Sequence, residues 1–169
     1  MNNDLAIAVA HLAGYLSGAV ASDGDIRHYT AGAFVVGDEN GAESPEAMIR
    51  TFYAKQTILQ FSSSQKMDRG LADLERQLGG YLIRKPWGSI EQSIPQQVVD
   101  ARRAFLAFRI MDMISDMAPE ARNLCSVHKV EKDSSGSDSQ VTFFCIRINP
   151  GFLVLQFNDD SPFVRAHAA

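Results

Sequence analysis

The chain has 169 residues, the usual size of one domain, and 46% of them are hydrophobic, so we predict a single globular domain over 1–169 rather than a disordered chain. Its formal net charge is −4, from 16 basic and 20 acidic residues. This charge offers no overall positive field to a phosphate backbone, so we do not expect a nucleic-acid partner.

The first apolar segment, DLAIAVAHLAGYLSGAVAS, covers residues 4–22. We interpret it as a helix and not as a signal peptide, because the leading Met1-Asn2-Asn3-Asp4 is acidic where a secretory leader is basic. It also falls short of the roughly 20 apolar residues of a membrane span and lacks basic anchors, so no membrane partner is expected. Gly14 and Gly18 lie one helical turn apart and would allow another backbone to approach closely. Since this helix is apolar nearly all round, it is either buried inside its own monomer or shared with a partner, such as a second copy of the chain.

Two elements follow the first helix. Residues 27–36 have the composition of a strand. Ser44-Pro45-Glu46 supplies an N-cap, a proline at the first helical position and an acid in the first turn. This combination predicts a second helix that runs from here to about Phe61.

A third helix is predicted over residues 65–78, because apolar residues recur there at helical spacing: Met67, Leu71, Leu74 and Leu78. Gly79-Gly80 is predicted to end it, since glycine readily adopts the left-handed conformation that terminates helices.

The only tryptophan, Trp87, lies in a Pro-Trp-Gly turn close to Arg84 and Lys85. Tryptophan and arginine are enriched among the residues that dominate protein–protein binding. We therefore treat these three residues as candidates for a binding site. The alternative interpretation is a tryptophan that folds back over the ends of the neighbouring helices.

The longest helix is predicted from Ser93 to about Met117, because Ser93 and Gln96 have the spacing of a capping box. One broad apolar face is expected along it, formed by Val98, Val99, Phe105, Leu106, Ile110, Met113, Ile114 and Met117. Asp112 and Asp116 are one turn apart and share a side of the helix, as two carboxylate ligands of a cation would. No second helix carries the carboxylate and histidine spacing of a di-metal centre, so we expect neither a metal nor another cofactor.

The last third of the chain changes from helical spacing to alternation, which predicts strands over 126–132 and 140–149 and a further strand after Asn149-Pro150-Gly151. If residue 149 faces residue 152, six apolar side chains lie on one face: Phe144, Ile146, Ile148, Leu153, Leu155 and Phe157. We expect helices to cover this face. The opposite face is mixed and is expected to be partly wet.

The two cysteines, Cys125 and Cys145, are too few for a disulfide framework and do not form the CxxC pairs of zinc sites. Folding the earlier hairpin about residue 135 would place them opposite each other, where a disulfide is geometrically possible. We predict free thiols and a cytoplasmic location, where such thiols stay reduced.

Taken together, these elements predict an α+β fold in which about four main helices pack on one face of a small, mainly antiparallel sheet with C-terminal hairpins. No nucleophile elbow, Walker loop or dinucleotide fingerprint is present. We therefore expect a small binding or regulatory protein, such as an inhibitor, adaptor or immunity-type module, that contacts another protein or a second copy of itself. The alternative is a small, hydrolase-like enzyme whose site combines scattered residues: His28, His128, Asp112 and Asp116.

Overall fold

The computed structural model describes residues 3–21, 29–37, 44–53, 61–83, 95–117, 127–132, 140–148 and 151–159. The elements in these ranges are α1 (Asn3–Ala21), β1 (Tyr29–Val36), α2 (Pro45–Tyr53), β2 (Phe61–Lys66), α3 (Leu71–Leu82), α4 (Gln96–Met117), β3 (Val127–Lys132), β4 (Gln140–Ile148) and β5 (Gly151–Asp159). The strands form one sheet in the order β1-β5-β4-β3-β2, and every neighbouring pair is antiparallel. The predicted α+β class and the C-terminal hairpins are confirmed.

One face of the sheet is covered by α1, α3 and α4. All six alternate residues predicted for this face are buried in the same core as the helices: Phe144, Ile146, Ile148, Leu153, Leu155 and Phe157. The helices contribute fully buried leucines and isoleucines to this core, among them Leu12, Leu16, Leu74, Leu78, Ile110 and Ile114. Because side chains alternate across a strand, two nine-residue strands supply a continuous apolar floor for the three helices.

The opposite face of the sheet has its own helix. Met48 and Ile49 of α2 pack with Phe143, Cys145 and Val154, and all five side chains are buried. The helices therefore divide three to one between the two faces, whereas the sequence predicted all of them on one face. The predicted wet character of the second face is seen at the half-buried polar residues Arg147, Gln156 and Asn158 of the central strands, and at the exposed Thr30, Ser64 and Lys66 of the edge strands.

The C-terminal hairpin pairs two residues away from the predicted register. Ile148 faces Gly151 and Ile146 faces Leu153, so the connection is two residues long. Gly151 has a φ of 108°, a left-handed value that glycine adopts without strain. A shift of two residues preserves the side on which every side chain lies, and the prediction of the buried face is therefore correct although its pairs are wrong.

The start of α2 is confirmed, because the Ala47 amide donates a hydrogen bond to the Ser44 side-chain oxygen at 3.2 Å. Its predicted continuation, residues 54–60, lies outside the described residues. Phe61, the predicted last residue of this helix, is instead the first residue of β2. This edge strand escaped prediction because its side chains at 63–66 are all exposed and show no alternation.

The prediction that Gly79-Gly80 ends the third helix is wrong, since α3 continues to Leu82. The two residues beyond the glycines explain why. Leu82 is fully buried, and the Tyr81 ring packs on Phe144 and Phe157 with centroid distances of 5.1 and 5.2 Å. Tertiary packing of the last turn therefore outweighs the low helix propensity of the glycines.

Candidate functional site

The helix α4 is apolar on two opposite sides. Ala107, Ile110 and Ile114 are buried in the core that α4 shares with the sheet, α1 and α3. On the other side Val98, Phe105 and Phe108 are 55%, 61% and 57% exposed. At 3.6 residues per turn these two sets lie about half a turn apart, so the single broad face that the sequence predicted is in fact two faces.

We call the exposed side the outer face of α4 and define it by Val98, Ala101, Phe105 and Phe108. Their spacing alternates between three and four residues, which is the repeat by which one helix contacts another along a seam. Sequence reasoning missed Ala101 and Phe108, although this spacing was the signal that would have found them. Large exposed aromatic side chains at such spacing are characteristic of protein-binding surfaces.

Charged residues border the outer face of α4. Arg102 is exposed toward its amino-terminal half. At its carboxyl-terminal half, the Arg109 Nη1 donates to the Asp112 Oδ2 at 3.0 Å, and Asp116 is exposed one turn further on. The two halves of the face therefore carry opposite net charge.

The neighbouring helix α1 is also one-sided. Leu12 and Leu16 are buried against the sheet side, while Gly14 and Gly18 are exposed. A Cβ built on either glycine would meet nothing within 4 Å. Within the described part of the chain, the glycines thus pack against no other helix.

Another large apolar side chain, Phe52 of α2, is 51% exposed. Its ring is stacked on Phe34 of β1, with centroids 4.4 Å apart and an angle of 12° between the planes. Because the exposed Phe52 ring is already stacked on another ring of the same chain, we do not treat it as part of a binding surface like the outer face of α4.

Two open clefts flank α4, which contacts both α1 and α3. The first, of about 430 Å³, lies between α1 and α4 and is lined by Asp4, His11 and Asp116 together with apolar side chains. The second, of about 520 Å³, lies between α3 and α4 and is lined by small residues together with two acidic and two basic side chains: Glu75, Asp100, Arg76 and Arg103. His11 is exposed at the rim of the first cleft, so this cleft does not enclose a base in the way an active site does.

The residues proposed for an enzyme site do not converge. His128 faces Cys145 across the ladder, so its side chain lies on the α2 side of the sheet. Asp112 and Asp116 belong to α4, on the other side. His28 lies outside the described residues. The sheet separates His128 from the two aspartates, and these three residues cannot form one site.

The surroundings of His128 and Cys145 do not favour nucleophilic chemistry. Burial, and then the charge of Glu46, raise the pKa of the Cys145 thiol to about 12. Burial lowers the pKa of His128, against the effect of Glu46 and with that of Lys66. Since the thiolate is the nucleophilic form, a thiol held protonated in the core is inert.

The remaining predicted residues have separate outcomes. Trp87, Arg84 and Lys85 lie outside the described residues, and their role stays a prediction. Cys145 is a free thiol, as predicted, but it faces His128 and not Cys125. Cys125 itself lies outside the described residues.

Among the described residues, no three His, Cys, Asp or Glu side chains are placed to hold a metal ion. None of the described helices combines the length and the apolarity that a membrane crossing requires.

No protein family, curated protein or solved structure matches the chain.

Proposed function

We propose that this chain is a binding or regulatory protein that acts through protein–protein contacts, and that the outer face of α4 is its contact surface. The observation that carries this proposal is the exposure of Phe105 and Phe108 on the side of α4 opposite the sheet. Phenylalanine rings are among the side chains enriched in interfaces, and a fully buried one contributes roughly 1.5–3 kcal/mol.

The class of partner is another protein, because the surface is an open helix face bordered by clefts and not an enclosed pocket. Inhibitors, adaptors and immunity-type proteins all work through surfaces of this kind, and we propose that the chain belongs among them. A cytoplasmic location is part of the proposal and is supported by the free Cys145 thiol.

The test is photo-crosslinking in extracts of cells that naturally produce the protein. Benzoylphenylalanine is placed at Phe105 in one variant and at Ser64, an exposed residue of β2, in the matched control. We expect a discrete protein adduct from position 105 that is absent from position 64, whether the adduct contains another protein or a second copy of the chain. Equal crosslinking from both positions, or none from position 105, would refute the proposal.

A further inference from the structure

We infer that the partner at the outer face of α4 is a second copy of this chain, bound so that the two α4 helices run antiparallel around a two-fold axis. The inference rests on the proposed function and names the partner of the same surface. Closed two-fold dimers are the commonest protein oligomers, and their interface must match itself. The outer face of α4 has this property.

The aromatic residues set the register of such a pair. If Phe105 is level with Phe108 of the second copy, then Phe108 is level with Phe105 of the second copy, and four rings meet at the axis. The same register places Arg102 level with Met111 of the second copy, one residue from its Asp112 and two residues from its Arg109, whose single positive charge is outnumbered by the carboxylates of Asp112 and Asp116. One residue is about 1.5 Å along a helix, which is well within the reach of an arginine side chain.

Charge agrees with this register. Arg102 borders the amino-terminal half of the face, and Asp112 and Asp116 border the other half with Arg109. An antiparallel pair therefore brings the basic half of each copy to the acidic half of the other, twice by symmetry. A parallel pair would instead place Arg102 beside Arg102 and Asp112 beside Asp112, where like charges repel. Charge complementarity of this kind fixes the orientation of helix pairs.

The area required by a stable dimer explains why α1 has a bare outer side. A typical interface buries about 800 Å² from each partner, whereas even a whole phenylalanine side chain supplies only about 150–250 Å², so the four residues of the outer face of α4 do not suffice. The contact must therefore extend over the adjacent α1, whose exposed side carries the small residues Ala10, Gly14, Ser17 and Gly18, with the larger Ile7 and His11 toward its amino-terminal half. Because these side chains are small, a helical layer of the second copy can come close to α1 and α4. Gly14 and Gly18 then have the close-contact role that their spacing suggests.

The test measures the mass of the purified chain by sedimentation velocity over about 1–300 µM, with four variants. The double variant Phe105→Glu/Phe108→Glu removes the aromatic contact. Arg102→Asp and Asp112→Arg each reverse one charge, and the fourth variant carries both reversals. Melting temperatures are recorded for all variants, and only variants that keep the melting temperature of the wild-type monomer are compared.

We expect a concentration-dependent dimer for the wild type and a monomer for the double phenylalanine variant. Each single reversal should weaken the dimer by about ten-fold, because it replaces two attractions by two repulsions. The combined reversal should restore most of the affinity, since opposite charges at positions 102 and 112 then face each other again across the two copies. In the combined variant, Arg109 would still lie one turn from the arginine introduced at position 112 of its own helix. The restoration of affinity therefore cannot come from contacts within one copy.

A wild-type chain that stays monomeric, a dimer that tolerates the two glutamates, or a combined reversal no better than the single ones would each overturn the inference. These outcomes are distinguishable from failure of the proposed function. A monomeric chain that still crosslinks another protein from position 105 would leave the proposed function intact and refute only the self-association.

Discussion

Asp73 shows how one side chain organises the start of α3. Its carboxylate accepts hydrogen bonds from the Arg69 amide and Nε, both at 3.0 Å, and from the Arg76 Nη2 at 3.2 Å. The hydrogen bond from the Arg69 amide lowers the pKa of Asp73 most, and the two guanidinium groups lower it further against the opposing effect of burial. An ionised carboxylate at this position satisfies a backbone donor just before the helix and lies in its first turn, where the helix dipole favours negative charge.

We predict that Asp73→Asn lowers the melting temperature by several degrees at pH 7 and that this loss shrinks as the pH falls below about 4. A carboxyl group with a depressed folded-state pKa contributes stability above its unfolded value, near pH 4, and this contribution is lost as the pH falls through the folded pKa. Thermal unfolding of both proteins between pH 3 and pH 7 checks this, with the exposed Asp68→Asn as the matched control. The same loss for both variants, or a loss independent of pH, would show that the hydrogen bonds of Asp73 are not its source.

A second prediction at the scale of one residue concerns the reactivity of the Cys145 thiol. The thiol is fully buried, and its pKa is raised to about 12 by burial and by Glu46, so it stays protonated at pH 8. We expect iodoacetamide to leave Cys145 unmodified in the native protein and to modify it in 6 M guanidinium. Peptide mapping by mass spectrometry measures each cysteine separately. Rapid alkylation of native Cys145 would mean that this face of the sheet is open to solvent.

The helices α3 and α4 cross closely at Gly79. A Cβ on Gly79 would lie 3.2 Å from the Arg103 Cβ. Arg103 has little freedom to move away, because its Nε and Nη2 donate to the Ile83 carbonyl oxygen at 3.0 and 2.7 Å. Gly80, one residue later, has nothing within 4 Å of the same position.

These adjacent glycines form a matched pair for mutation. Gly80→Ala should raise the free energy of unfolding by about 0.5–1 kcal/mol, the usual gain in an exposed helix interior. Gly79→Ala should give a smaller gain or a loss, because the new methyl group crowds Arg103. Urea unfolding of the two variants provides the comparison, and an equal gain from both would contradict the close crossing.

The two sides of α4 should differ sharply in their contribution to stability. Ile110→Ala leaves a cavity in the core and should lower the free energy of unfolding by about 2–5 kcal/mol. Phe108→Ala removes an exposed ring and should change it by no more than about 0.5 kcal/mol. Urea unfolding at concentrations where the chain is monomeric checks both values. A large loss for Phe108→Ala would place that ring in the core and remove the basis of the proposed surface.

Whether the sequence predicted an element correctly depended on which interactions determine that element. The alternation in β4 and β5 identified the buried face, because a strand with one buried face has an apolar side chain at every second residue. The same alternation does not fix pairing, since a shift of two residues leaves each face unchanged. Gly79-Gly80 was misread because glycine propensity is weaker than the packing of Tyr81 and Leu82. The strand β2 was missed because its exposed side chains carry no pattern.

The candidate site was only partly predictable for a related reason. Gly14 and Gly18 were identified from spacing alone, and the structure exposes them. The apolar residues of α4 were recognised as a group, but sequence alone does not tell which side of a doubly apolar helix meets the core. That choice depends on α1 and α3, which flank α4 on the sheet and leave Phe105 and Phe108 outside.

In its overall arrangement the protein is a sheet covered on both faces, with an excess of apolar surface on the outer side of one helical layer. The sheet edges β1 and β2 offer a different route to self-association, through strand pairing. The edge strand β2 ends in exposed polar and charged residues, Gln65 and Lys66, which discourage such pairing. The outer face of α4 is therefore a better candidate surface for self-association than the β2 edge.

An isotope-filtered NOE spectrum of an equimolar mixture of ¹³C-labelled and unlabelled chain detects only contacts between copies. We predict cross-peaks between the ring protons of Phe105 in one copy and those of Phe108 in the other. Cross-peaks that instead join residues of β1, such as Thr30, or the absence of any contact between copies at millimolar concentration, would contradict the assignment of the outer face of α4 as the dimer surface.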